Sequence, residues 1–386
     1  MHARSALLTV LTLVVLPATP AQAAGAAWEQ WRSIPGVFDV GGPRGDGSLI
    51  VAGSARLYLV DPAGTVTPFA AGTGGYADDP GAEAYFAVAP GPHPGAGCNF
   101  LKDDVFVLRL HAPLGITRVD QLGHASPFAT VPGVQSLTGI AFDTTGDFGY
   151  RLLVSGGASG KTVIAAMDCA GGVQVITRSA PVMEGGLAVA PRSFGSFGGA
   201  LIAPDELSGN IYAIAPNGSV SVVARSGLPI GGDIGVEGVG FVPNGLLAGG
   251  EVYYADRATP GNPHPGTDSL LRLKASELVT AGVSEGDLLA ATEGGATMIG
   301  VHCEASCTVV TVVGTATTAH GEGHIAFTIA PPAPSPSPRP SAKPSASPVR
   351  QSGPGSVGIA ATVLALVALM VGILLIRRRR PPKASA

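Results

Sequence analysis

The sequence predicts an all-β fold, a six-bladed β-propeller, on three observations. The first is the stretch ALIAPDELSGNIYAIAPNGSVSVVA at 200–224. Its apolar runs are too short for helices, and Pro204, Asp205, Ser208 and Gly209, then Pro216, Asn217 and Gly218, punctuate them as turns between strands. The second is recurrence: the segments 56–70, 115–129, 162–177 and 210–224 align on Gly64, Gly123, Gly171 and Gly218. These glycines are 59, 48 and 47 residues apart, the length of four strands with their loops. The third is that six short apolar segments read as the first strand of such a unit. A lone hairpin of this kind is not stable, so the units must pack on one another.

From the N-terminus, residues 1–24 are expected to be a secretory signal peptide. His2 and Arg4 precede an apolar run at 6–16, too short to span a bilayer, and Ala21-Gln22-Ala23 supplies a small-residue cleavage site. Residues 25–330 are expected to form the propeller. Inner strands are placed at 37–42, 84–90, 139–143, 186–191, 238–243 and 298–303, and second strands at 48–53, 104–109, 151–156, 200–205, 251–256 and 307–314. In blades one to four the third and fourth strands flank the aligned glycine. Asp61, Asp120 and Asp168 stand three residues before it, where a carboxylate caps the turn's N–H groups; Ala215 stands there in the fourth. Blade five is expected to continue with 269–275 and 287–293, with ASELVTAGVSEGD between them as a short helical insertion. Blade six has 324–329 as its third strand and lacks a fourth. Residues 28–34, WEQWRSI, are expected to supply it and so close the ring without a free edge; a seven-bladed or open arrangement is the alternative.

The C-terminal part is of another kind. Residues 331–355, PPAPSPSPRPSAKPSASPVRQSGPG, alternate Pro with Ser and Ala and are expected to be a semi-rigid polyproline II stalk. Residues 356–376 carry no charge and are followed by four arginines at 377–380. This is the pattern of a single-pass transmembrane helix with a basic cytoplasmic tail, 377–386, which leaves the N-terminal domain extracytoplasmic at the cell membrane. Of 23 basic residues nine lie outside 25–330, while all 27 acidic residues lie inside it, so this part carries a net charge of −13. That balance excludes nucleic acid as a natural partner and admits cations or basic partners. The head is expected to be monomeric.

Cys303-x3-Cys307-x12-His320-x3-His324 has the spacing of a Cys2His2 zinc finger. The twelve residues between Cys307 and His320 are β-branched and strand-like, and His320-Gly-Glu-Gly-His324 is not helical, which argues against a finger. In an oxidising compartment Cys303 and Cys307 are expected to form a disulfide across a hairpin, and Cys98 and Cys169, in adjacent blades, to form the second; a structural zinc site is the alternative. SGGASGKT at 155–162 leads into a strand with three residues between Gly156 and Gly160, so it reads as a β-turn, not a phosphate loop.

LIAPDELSGNIYAIAPNGSV resembles the repeat of NHL-type and SMP-30/gluconolactonase-like six-bladed propellers, in which a strand ending in Asp leads to an Ile-Tyr-x-Ile strand and a Gly turn. The resemblance covers blade four well and blades one to five loosely, and it implies architecture more than activity. SMP-30-like enzymes hold a divalent cation with carboxylates and asparagines at the channel mouth. By resemblance, Glu184 and Glu237, before inner strands, and Asp205 and Asp256, ending second strands, would be the ligands of Ca2+ or another divalent cation, with Glu206 and Asp233 near them. No asparagine stands at matching positions; the alternative role for these carboxylates is turn capping on a solvated rim.

The expected function is that of a membrane-tethered surface module that binds or senses an extracellular ligand or protein. The alternative is a divalent-metal-dependent lactonase- or esterase-like hydrolase at an acidic channel mouth. A quinone-dependent sugar dehydrogenase ranks behind both, because no constellation of His and Arg stands out.

Overall fold

The computed structural model describes residues 26–77 and 82–330. The expected signal peptide, stalk, transmembrane segment and tail lie outside the described residues, among which no helix is long and apolar enough to cross a membrane. A first strand, β1 (Glu29–Ser33), precedes four sheets made of consecutive antiparallel strands. Blade one is β2 (Val37–Gly41), β3 (Leu49–Gly53), β4 (Arg56–Val60) and β5 (Val66–Phe69). Blade two is β6 (Phe86–Val88), β7 (Val105–Arg109), β8 (Gly115–Val119) and β9 (Ala125–Thr130). Blade three is β10 (Gly139–Phe142), β11 (Leu152–Ala158), β12 (Lys161–Met167) and β13 (Val173–Ala180). Blade four is β14 (Ala188–Val189), β15 (Leu201–Pro204), β16 (Asn210–Ile214) and β17 (Val220–Arg225). The last two blades share β18 (Val236–Phe241), β19 (Glu251–Asp256), β20 (Ser269–Lys274), helix α1 (Ala275–Ala281), β21 (Leu288–Thr292), β22 (Met298–Cys303), β23 (Cys307–Val313) and β24 (Gly321–Thr328).

The inner strands β2, β6, β10, β14, β18 and β24 follow one another around a central channel, and β24 returns to β2, so the ring of six blades is closed. Burial follows position within a blade. Second strands such as β3 are buried along their whole length, because neighbouring blades cover both faces, whereas outer strands such as β9 are largely exposed. Each large apolar side chain buried in this way contributes roughly 1.5–3 kcal/mol. Between blades two and three the core is aromatic, with Phe100, Phe106 and Phe142 meeting edge to face at 4.9–5.5 Å between centroids.

The turn chemistry is the expected one. Gly64, Gly123, Gly171 and Gly218 have φ between +83° and +89°, a region closed to most side chains. Asp61 accepts the N–H of Thr65, Asp120 those of Leu122 and His124, and Asp168 those of Ala170 and Gly172. Residues 155–162 belong to the β11–β12 hairpin. Both disulfides form: Cys98–Cys169 joins blades two and three, and Cys303–Cys307 sits across the β22–β23 hairpin.

The strand order of the last two blades corrects the expected layout. The fifth sheet is β18-β21-β22-β23 and the sixth is β24-β19-β20-β1. Residues 251–256 and 269–274 therefore belong to blade six, 288–292 is a second strand, 298–303 is a third strand, and 321–328 is an inner strand. The local patterns of EVYYAD and DLLAATE are equivalent, so only long-range register decides which of them lies beside β18; there Phe241 pairs with Leu288. The chain thus crosses between blades five and six three times. β1 does supply the outer strand of the closing blade, paired with β20, and Trp28 and Trp31 pack on Tyr254 and Tyr253 of β19. The expected helical insertion is α1.

Candidate functional site

At one end of the channel a cavity of about 210 Å³ is lined by Glu83, Glu184, Glu206, Asp233, Glu237, Glu293 and Glu322. Arg257, His320, Tyr85 and Thr259 complete its wall. The backbone explains the gathering. Glu83 and Glu184 lie in loops that lead into β6 and β14, Glu237 and Glu322 lie at the start of β18 and β24, and Glu206 and Glu293 follow the second strands β15 and β21. Blades two, four, five and six contribute; blades one and three do not.

Seven carboxylates thus face one guanidinium and one imidazole. Arg257 pairs with Glu83 and, at 3.2 Å, with Glu322. His320 Nε2 lies 2.8 Å from Glu293 Oε1 and 3.6 Å from Glu322 Oε1. Burial alone would lower the His320 pKa, but its hydrogen bonds to Glu293 and Glu322 raise it to about 9. The carboxyls shift the other way from the usual acidic range. Desolvation first, and then neighbouring carboxylates, raise Glu83, Glu184 and Glu293, and they push Glu206 up to about 8.

Tyr85 gives the site its internal logic. Its hydroxyl lies 2.8 Å from Glu237 Oε1 and 2.9 Å from Glu322 Oε2. One hydroxyl proton cannot serve two carboxylates, so one of the two acids supplies its own. Burial, followed by the charges of Glu322 and Glu293, holds the Glu237 carboxyl well above the usual range.

Glu293, His320 and Glu322 each offer a ligand atom, all within 4.8 Å of one another, and all three residues are buried. Ligand distances of about 2.0–2.6 Å allow three donors with this spread to surround a single divalent ion. His320 is held from behind, because Asp256 accepts its backbone N–H at 2.8 Å. The donor set therefore fits a divalent cation, with two carboxylates for a hard ion and an imidazole that also admits a transition metal.

Of the carboxylates singled out from the sequence, Glu184, Glu237, Glu206 and Asp233 line the cavity. Asp205 and Asp256 do not. Asp205 accepts the N–H groups of Leu207 and Ser208 and the Ser208 hydroxyl, and Asp256 accepts the hydroxyls of Thr267 and Ser269. Sequence reasoning missed Glu83, Tyr85, Arg257, Glu293 and Glu322, and reached His320 only through the Cys/His spacing of a zinc site whose two cysteines are instead bonded to each other. Glu83 and Glu322 satisfy the rule that picked out Glu184, and Glu293 ends a second strand as Asp205 does. The misplaced strands of the last two blades hid Glu293 and Glu322.

No protein-family model and no curated protein matches the chain. Solved structures do resemble it. A protein of unknown function from Bacteroides thetaiotaomicron has 13% sequence identity over 78% of this chain and 67% of its own, with a TM-score of 0.43. Virginiamycin B lyase from Staphylococcus aureus has 12% identity over 79% of this chain and 94% of its own, with a TM-score of 0.40. A protein assigned as a gluconolactonase has 11% identity over 78% of this chain and 95% of its own, with a TM-score of 0.40. The six-bladed architecture that the resemblance to NHL-type and SMP-30-like proteins implied is established by the strand pairing itself.

Proposed function

We propose that the protein is an extracytoplasmic binding module, tethered to the membrane by its C-terminal apolar segment, whose ligand at the channel mouth is a divalent cation or is held through one. The observation that carries this reading is the cavity in which seven carboxylates meet one Arg and one His around the Glu293–His320–Glu322 trio. Uncompensated carboxylates in a site of low dielectric destabilise the chain unless they are protonated or matched by a cation. Calorimetric titration of the purified protein with Ca2+, Mn2+ and Zn2+ tests it. One equivalent should bind, and Glu293→Gln combined with Glu322→Gln should weaken binding by at least tenfold. Absence of binding, or binding indifferent to both substitutions, would sink the proposal.

One observation favours a hydrolase of the lactonase or esterase sort as the second reading. Tyr85 bridges Glu237 and Glu322, which sets two carboxyls side by side in one chamber, with Glu237 held above the usual carboxyl range by its burial. A divalent ion at the trio would polarise a carbonyl oxygen. Glu237 is placed to protonate a leaving oxygen, Glu322 to accept a proton, and Arg257 to orient an anionic product. A screen of lactones and esters against the native protein and Glu237→Gln decides it: turnover lost in the variant supports the reading, and no turnover on any substrate rejects it.

A further inference from the structure

The channel has a second end. β24 runs from Glu322 in the acidic cavity to Phe327 at the opposite end, and His324 lies between them. Its Nδ1 faces Asp39 of β2, 2.9 Å from Oδ1 and 3.1 Å from Oδ2, and its Nε2 faces the backbone carbonyl of Ile140 on β10 at 2.8 Å. β24 and β10 belong to blades six and three, which stand opposite one another in the ring. The imidazole therefore lies across the channel axis. Both of its nitrogens point at acceptors, so both donate. Asp39 is fully buried and also accepts the N–H groups of Val40, Phe86 and His324, which fixes the bar from three blades.

Beyond this bar lies a well of about 430 Å³, a volume within the range of small-molecule sites. Phe86, Phe142, Phe241 and Phe327 line it from four different blades, together with Val189 and Ile325. Its floor offers no unused donor, because both His324 nitrogens are engaged. At the rim stand Lys102 and Asp103. Asp103 accepts the N–H of Gly45 with its carboxylate, whereas Lys102 is exposed and has no ion-pair partner among the described residues. Largely aromatic and aliphatic walls, a floor whose imidazole nitrogens are both engaged, and at the rim a cation without an ion-pair partner among the described residues select a particular chemistry.

We propose that this well is a second ligand site, for an amphiphile with a single anionic group: a carboxylate that bears an acyl chain or aromatic ring. The apolar part enters the well and the carboxylate meets Lys102. The site is independent of the acidic cavity, from which His324 separates it.

Calorimetric titration of the purified protein with hexanoate, octanoate, decanoate and 1-decanol tests the proposal. One equivalent of carboxylate should bind, and each added CH2 should tighten binding by roughly fourfold until the well is full. Lys102→Glu, an exposed change that leaves the core intact, should weaken decanoate by at least tenfold and leave decanol unaffected. Val88→Trp, which fills the well, should abolish both; if that variant does not fold, Lys102→Glu still decides. Glu293→Gln with Glu322→Gln should leave decanoate binding unchanged even where it abolishes cation binding, so the two proposals fail separately. No binding, equal loss of decanoate and decanol in Lys102→Glu, or dependence on Glu293 and Glu322 would overturn the assignment.

Discussion

Replacing Glu206 by Gln should make this protein more stable, and only at high pH. Glu206 follows β15 and lines the acidic cavity, where its Oε2 accepts the N–H of Asp233 at 3.1 Å, a bond that a glutamine oxygen can keep. Desolvation, then the charges of Glu293 and Glu184, push its pKa up to about 8 from 4.5. The sign follows from linkage: between these two values the native state holds a proton that the unfolded state has released. Stability is therefore complete below about pH 4.5 and declines as pH rises toward 8. At about 1.4 kcal/mol per pH unit the whole gap corresponds to an upper bound of about 5 kcal/mol. Glu206 is only half-buried, and solvent screening reduces the effect to roughly 1–2 kcal/mol, which corresponds to about 1.5–3 °C in Tm for a domain of this size. Thermal denaturation followed by circular dichroism, in chelator-containing buffer at pH 5 and pH 8.5, measures it. The variant should melt with the native protein at pH 5 and above it at pH 8.5. An equal difference at both pH values, or a less stable variant at pH 8.5, would refute the reasoning.

Three further outcomes are expected. Gly323→Ala places a side chain at φ +68° and its Cβ 2.5 Å from Asp39 Oδ1, so it should cost about 2–4 kcal/mol and lower the denaturant midpoint. Replacing Cys98 and Cys169 together by Ser opens a link across 71 residues and should cost roughly 2–5 kcal/mol, read in the same denaturation experiment against the reduced native protein as control. Deleting residues 26–34 removes β1 and bares the edge of β20; light scattering should show concentration-dependent association that the native protein lacks.

What the sequence could reveal was set by the range of the interaction involved. The aspartates and glycines of the four aligned turns act within four residues of one another, and they stand in the structure as expected. Cys303 and Cys307 were legible for the same reason, since a hairpin makes them neighbours. The six-fold count was also legible, because each blade repeats the same run of short apolar strands. The partner of each strand in blades five and six was not: β18 and β21 are joined only after β19 and β20 have gone to the next sheet, and nothing local marks that detour.

The acidic cavity depended on that same detour. A rule based on position relative to inner and second strands reached Glu184 and Glu237, yet it missed Glu293 and Glu322 while their strands were assigned to the wrong places. Tyr85 and Glu322 touch across 237 positions of sequence, and His324 meets Ile140 across 184; no pattern in either segment announces its partner. The sequence by itself determined the repeat, the turns, the Cys303–Cys307 disulfide and the acidic balance of residues 25–330, because these are properties of short segments or of composition. Only the tertiary structure decided which carboxylates face one another and where the channel is barred, because closing the ring is what brings the inner strands of opposite blades within hydrogen-bonding distance.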